Sequence, residues 1–118
     1  MRKLTLTLVL LLAITVPTAI AQADSSKSNY ASAQRAVCYY FGPNCGMAMK
    51  IVNCETGGSY SPWASNGQYL GMFQMGSYAR SRYGHGNSVW AQAKAAYAYF
   101  KDAGFSPWLN YEPPGCAM

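Results

Sequence analysis

Acid is scarce in this sequence. Four Asp and Glu stand against nine Lys and Arg in 118 residues, charged residues make up 11% of the chain, and there is a single His. The cations are spread out, without the dense Lys/Arg stripe of a nucleic-acid binder. One His and no Cys-x-x-Cys pair argue against a metal site, and no cofactor motif is present. After the first twenty residues no apolar run is long enough to span a bilayer. No strongly basic amphipathic helix, heptad or solenoid period appears, and the length leaves room for one domain. The chain therefore reads as a monomer that binds neither nucleic acid, metal nor cofactor.

The start of the chain reads as an export signal. Arg2 and Lys3 precede an apolar stretch from Leu4 to Val16, Pro17 breaks it, and Ala19-Ile20-Ala21 is a small-residue cleavage site, with a second candidate after Ala23. Residues 1–21 are thus assigned as a signal peptide, residues 22–32, rich in Ser, as a flexible leader, and residues 33–118 as the folded domain. The expected location is secreted or associated with a cell wall. All four cysteines, Cys38, Cys45, Cys54 and Cys116, follow the signal, and an even count in a small exported chain points to two disulfides. Three pairings are possible. Cys38 with Cys45 would close a short loop worth roughly 2.5 kcal/mol, and Cys54 with Cys116 would close a long one worth roughly 4.

Periodicity gives a mainly helical, α+β fold with one irregular lobe. A helix is expected over residues 33–41 with Ser32 as N-cap, then a Gly42-Pro43-Asn44 turn, then a helix over residues 45–55 capped by Asn44 and stopped by Gly57-Gly58. Residues 59–76 are rich in Ser, Gly, Asn and rings, with a turn at Asn66-Gly67 and an irregular strand or hairpin arm over residues 68–74. A short helix is expected from Ser77, its cap, to Tyr83, and a long one over residues 88–102 ended by Gly104. On the long helix, Trp90, Tyr97 and Phe100 are assigned to the core. His85, between Gly84 and Gly86, reads as a loop residue.

The second helix carries an acid on the wrong face. Met47, Ala48, Ile51, Val52, Cys54 and Glu55 form one stripe, with Lys50 and Asn53 opposite. A carboxyl on a buried stripe, in the last turn where the helix dipole is negative, should have a raised pKa and serve as a general acid. Gly57-Gly58 leaves bare backbone beside it for a ligand. The other acids are Asp24 in the leader, Asp102 at a helix end, read as a solvated charge, and Glu112 in the tail. Glycosidases that use two carboxylates hold them about 5 to 9.5 Å apart, so glycosidic chemistry here would run on one acid. Tyr60, Trp63 and Tyr69 on glycine-rich loops, with Asn66, Gln68 and Gln74 between them, have the make-up of a carbohydrate cleft.

These residues resemble a known family. Cys54-Glu55-Thr56-Gly57-Gly58 is similar to the Cys-Glu-Ser-Gly-Gly signature of actinobacterial lysozyme-like domains, the resuscitation-promoting factors and small transglycosylase-like proteins. Leu70-Gly71-Met72-Phe73-Gln74-Met75 resembles the Gly-Leu-Met-Gln stretch of soluble lytic transglycosylases. An Ala-rich helix with Gln92, Ala93 and Ala96 follows, then Gly104-Phe105-Ser106-Pro107-Trp108. The resemblance covers residues 36–108. It implies a lysozyme-like fold, peptidoglycan or a related glycan as partner, and cleavage of the β-1,4 bond between N-acetylmuramic acid and N-acetylglucosamine. It gives Glu55 the catalytic role and Gln74 a substrate-binding one, with Thr56 replacing the family's Ser and keeping its hydroxyl. Thr56, Tyr60, Trp63, Tyr69 and Gln74 form the expected substrate-binding set. The resemblance also favours Cys54 with Cys116, since the family joins the Cys before its Glu to a C-terminal Cys. The Ala-Tyr-Asn-Ala-Gly motif of full-length soluble transglycosylases is missing, and Ala96-Tyr97-Ala98-Tyr99 does not replace it. Attack by water would make the same site a hydrolytic lysozyme. An idle Glu55 would leave a glycan-binding or inhibitory module.

Overall fold

The structure, a computed structural model, describes residues 18–109, with side chains from Ser25 onward. Helix α1 runs Thr18–Phe41 and a 3-10 turn Gly42–Asn44 leads into α2, Cys45–Glu55. Strands β1, Ser65–Asn66, and β2, Tyr69–Leu70, form a small antiparallel hairpin. Then come α3, Ser77–Tyr83, α4, Val89–Ala103, and the single turn α5, Ser106–Leu109. The mainly helical expectation is met. Among the described residues no helix is long and apolar enough to cross a membrane.

The core forms where α1 packs on α4 and α2. Ala33, Ala36 and Val37 of α1 and Ala93 and Ala96 of α4 are fully buried, and these small side chains let the two helices approach closely. Phe41 closes the end of this seam. Its ring stacks on Phe73 at 5.6 Å and Phe105 at 6.1 Å and meets Tyr97 at 5.3 Å. Burying such a ring is worth about 2–3 kcal/mol. Trp108 of α5 seals the far side. It is buried, with its Nε1 donating to the Phe73 carbonyl at 2.9 Å.

Several sequence expectations need correction. The segment 22–32, expected as a flexible leader, lies within α1, and Ser32 is an interior residue of that helix rather than its N-cap. Tertiary docking holds this half of the helix: Asn29 Nδ2 donates to the Ser59 carbonyl at 3.2 Å, and the Tyr30 ring meets Tyr60 edge-on at 4.9 Å. Asn44 makes no side-chain cap, because the 3-10 turn feeds straight into α2 and the Cys45 N–H bonds to the Gly42 carbonyl. Met47 is exposed and Met49 takes the inward place, since α2 buries Ala48, Met49, Ile51 and Val52. Gly76, not Ser77, caps α3, without a side-chain bond. The strand expected over residues 68–74 shrinks to Tyr69–Leu70, with Asn66 paired to Tyr69 around a Gly67-Gln68 loop. Trp90, expected in the core, is 46% exposed, while Tyr97 and Phe100 pack against the core as expected. Ser88, expected as the first residue of the long helix, is the N-cap of α4 instead, its hydroxyl accepting from the Ala91 N–H at 3.1 Å.

Among the described residues a disulfide, Cys38–Cys45, joins α1 to α2 across the turn, with the Cα atoms 4.8 Å apart. Cys116 and Glu112 lie outside the described residues, as does most of the expected signal peptide.

Candidate active site

Glu55 is the last residue of α2 and is half-buried. It has neither a hydrogen bond nor an ion pair among the described residues. Partial burial pushes its carboxyl up from 4.5 to about 6. The helix dipole expected to assist is largely answered, because the final carbonyls of α2 are taken. The Thr56 N–H donates to Val52, the Gly57 N–H to Cys54 at 3.2 Å and the Gly58 N–H to Asn53 at 2.8 Å. The last two bonds make a Schellman motif with Gly57 at its left-handed position, φ 61°, where a side chain would be strained. The glycine pair therefore fixes the helix end that carries Glu55. Desolvation then raises the carboxyl.

Thr56 organises the loop that follows. Its hydroxyl donates to the Val52 carbonyl at 2.7 Å and accepts from the Tyr60 N–H at 2.8 Å. Tyr60 is held at φ 53°, a conformation that costs a non-glycine residue about 1–3 kcal/mol. Its partners are the Thr56 hydroxyl behind it and the Tyr30 ring against it. Two serines continue the same pattern. Ser59 Oγ donates to the Thr56 carbonyl at 2.9 Å, and Ser61 Oγ accepts from the Trp63 N–H at 3.1 Å. The Trp63 ring beyond them is 68% exposed.

The hairpin side of the lobe is held by two amides. Gln74 Nε2 donates to the Ala64 carbonyl at 3.0 Å and to the Gly71 carbonyl at 2.9 Å, so its donor ties β2 to the loop after Trp63. Gln92, buried in α4, accepts from the Met72 N–H at 2.9 Å and donates to the Pro62 and Gly86 carbonyls at 2.8 and 2.9 Å. Gly71 makes this possible. A Cβ there would lie 2.5 Å from Gln92 Oε1 and 2.8 Å from His85 Cε1. His85, in the loop between α3 and α4, has a buried Nδ1 with no partner among the described residues, and burial, with Arg80 nearby, lowers its pKa. The Tyr69 ring packs over Gly76, 3.2 Å from where a Cβ would stand.

Of the expected substrate residues, Thr56 and Tyr60 are thus joined to each other in the loop that follows Glu55, while Tyr69 lies on β2 and Gln74 in the turn after it. Thr56 and the Gln74 donor are spent on the scaffold. A groove of about 450 Å³ between α1 and α2 is lined by Tyr30, Gln34, Lys50, Asn53 and Tyr60 among others, and Glu55 is not part of its wall. The second described acid, Asp102, accepts from the Tyr83 hydroxyl at 2.9 Å and pairs with Arg82 at 3.8 Å, as a surface charge. No group of three or more His, Cys, Asp or Glu among the described residues could hold a metal ion.

The sequence reading missed Asn29 and Tyr30, because a Ser-rich stretch gives no sign of docking. It used Gln92 only as part of a resemblance, although a lone amide beside Ala93 and Ala96 on a buried face is itself a signal of a polar anchor. Comparison of the chain with protein-family models, with curated proteins and with solved structures found no match.

Proposed function

We propose that this chain is a secreted, lysozyme-like enzyme that cleaves peptidoglycan at the β-1,4 bond between N-acetylmuramic acid and N-acetylglucosamine, in the manner of a lytic transglycosylase. The observation that carries the reading is Glu55: half-buried, without a partner among the described residues, raised to about 6, and fixed at a rigid helix end. A carboxyl in that state is mostly protonated below pH 6, still holds its proton in roughly one molecule in ten at pH 7, and can deliver it to the glycosidic oxygen as the bond breaks. The substrate's acetamido oxygen stabilises the cation that develops on the muramic ring. Glu55, now a carboxylate, takes the proton from the sugar's 6-hydroxyl as that oxygen closes onto the anomeric carbon. The product is a 1,6-anhydro sugar. Exposed Trp63, with Tyr60 and Tyr69, offers ring faces to the sugars.

Secretion is supported by the Cys38–Cys45 disulfide, which persists in oxidising compartments. The proposal includes a second bridge, Cys54 with Cys116. That Cys38 and Cys45 hold each other while none of the described cysteines is free supports this pairing.

A second reading, a glycan-binding module without turnover, draws support from the commitment of Thr56 and Gln74 to the scaffold. One experiment separates the two. Wild type and Glu55→Gln are incubated with purified peptidoglycan and the released fragments are analysed by mass spectrometry, with circular dichroism as the folding check. The enzyme reading expects anhydro ends from wild type and at least a hundredfold loss in the variant, the usual scale of general acid–base catalysis. Ends heavier by one water would make the enzyme a hydrolytic lysozyme. Binding of peptidoglycan by both proteins with cleavage by neither would establish the module.

A further inference from the structure

Trp90 has no place in the site described above. It lies at the start of α4 beside Tyr39 and Tyr40 of α1, its ring 5.6 Å from Tyr39 and 6.4 Å from Tyr40, and the two tyrosines are 5.0 Å apart. All three pairs meet edge to face. Tyr39 is 73% exposed and Trp90 46% exposed. Large rings gathered in water, rather than scattered singly, mark an interaction surface. Tyr97 extends the row along α4, 6.3 Å from Tyr40.

The charge beside these rings indicates the kind of partner. Lys94 stands one turn after Trp90 on the same face of α4, and the Lys101 ammonium lies over the Tyr97 ring at 5.2 Å. On α1, Arg35 stands one turn before Tyr39. Neither acid among the described side chains neutralises this row. Asp102 is engaged by Tyr83 and Arg82 on the α3 side, and Glu55 ends α2. An apolar protein partner would leave the cations unused, and a nucleic acid would call for a denser basic stripe. Flat rings alternating with single cations suit a chain of pyranose units, whose C–H faces pack on the rings while carboxylates meet the lysines.

We propose that the seam between α1 and α4 is a second glycan-binding surface, separate from Glu55, that holds an anionic polysaccharide strand. The α1–α2 groove lies on a different flank of α1, through Tyr30, Gln34 and Cys38. The surface binds the insoluble polymer and keeps the protein on it, and this role does not depend on turnover at Glu55.

The test uses the full chain carrying Glu55→Gln, so that the probe is not degraded, and measures its retention on purified insoluble peptidoglycan. Adding Tyr39→Ala and Trp90→Ala should lower retention about fivefold or more, with unchanged circular dichroism, because both side chains are exposed. Tyr39→Phe with Trp90→Phe should retain most of the binding. Lys94→Gln with Lys101→Gln should weaken binding to peptidoglycan and flatten its salt dependence, while leaving any binding to neutral chitin unchanged. Retention equal to the parent after loss of both rings would overturn the proposal, as would a parent that does not bind peptidoglycan at all. Failure of the Glu55 reading would look different: no fragments from wild type, whatever the seam variants do.

Discussion

Glu55 and His85 give the protein two opposing pH signatures. The folded pKa of Glu55 lies above its unfolded value, so the native state binds the extra proton between 4.5 and about 6. Stability from this residue is therefore present at acid pH and is lost as pH rises through 6. At full value the shift corresponds to about 2 kcal/mol, and to about 1 kcal/mol once the solvent reaching a half-buried group is allowed for. His85 has a lowered pKa, so the unfolded state binds the proton more readily and the His85 contribution is lost as pH falls below its unfolded value of 6.5. Comparing wild type with Glu55→Gln cancels the His85 part. Denaturant titrations should show the variant gaining about 1 kcal/mol on wild type as pH rises from 4 to 7. Cleavage by wild type should fall along a limb centred near pH 6, as the acid loses its proton. A limb centred well above 7 would assign the proton to another group. Thr56 gives a second test at this scale. Thr56→Val removes the acceptor for the Tyr60 N–H and should cost about 1–3 kcal/mol in urea unfolding, while Thr56→Ser should stay within about 0.5.

Among the elements, α4 does more than fill the core. Its Gln92 gathers three loop segments, at Met72, Pro62 and Gly86, onto one amide. Gln92→Leu would keep the volume and leave a buried N–H and two carbonyls unpaired. The expected loss is about 3 kcal/mol or more by chemical denaturation. Gln92→Glu keeps the acceptor for Met72 but turns a second oxygen toward the Pro62 and Gly86 carbonyls, and should cost at least as much as Gln92→Leu at neutral pH. Equal stability of Gln92→Leu and wild type would mean that solvent, not the amide, satisfies these groups. The end of α2 works in the same way on a smaller scale. Its Schellman bonds turn the chain away from Glu55 at once, and the Ser and Thr hydroxyls of residues 56–61 then pin the turn that holds Tyr60.

Across the whole molecule, α1 is the common support. It packs on α4, is bridged to α2 through Cys38–Cys45, and reaches the loop after Glu55 through Asn29 and Tyr30. The proposed Cys54–Cys116 bridge would tie the C-terminus to the turn of α2 just before Glu55. Peptide mapping without reduction should return Cys38 with Cys45 and Cys54 with Cys116. A peptide joining Cys54 to either of the other two cysteines would contradict the first bridge and the proposed second one together.

Local chemistry was enough to place much of this protein. The spacing of apolar residues located α2 over residues 45–55, glycines at 57, 84 and 104 ended three helices, and the scarcity of acids made Glu55 the one candidate carboxyl. Each of these depends on neighbours within a turn or two, which a sequence displays directly. Other features depend on contacts between residues about thirty positions apart, or on which element covers which face. Within residues 22–32, Asn29 and Tyr30 meet Ser59 and Tyr60, and no local propensity records that meeting. Trp90 has the periodicity of a core residue, but α1 and α4 meet through alanines and leave its ring at the edge of the seam. Gln74 and Thr56 have the side chains of ligand binders, and only the folded backbone shows the Thr56 hydroxyl and the Gln74 amide donor bonded to main-chain groups of their own lobe.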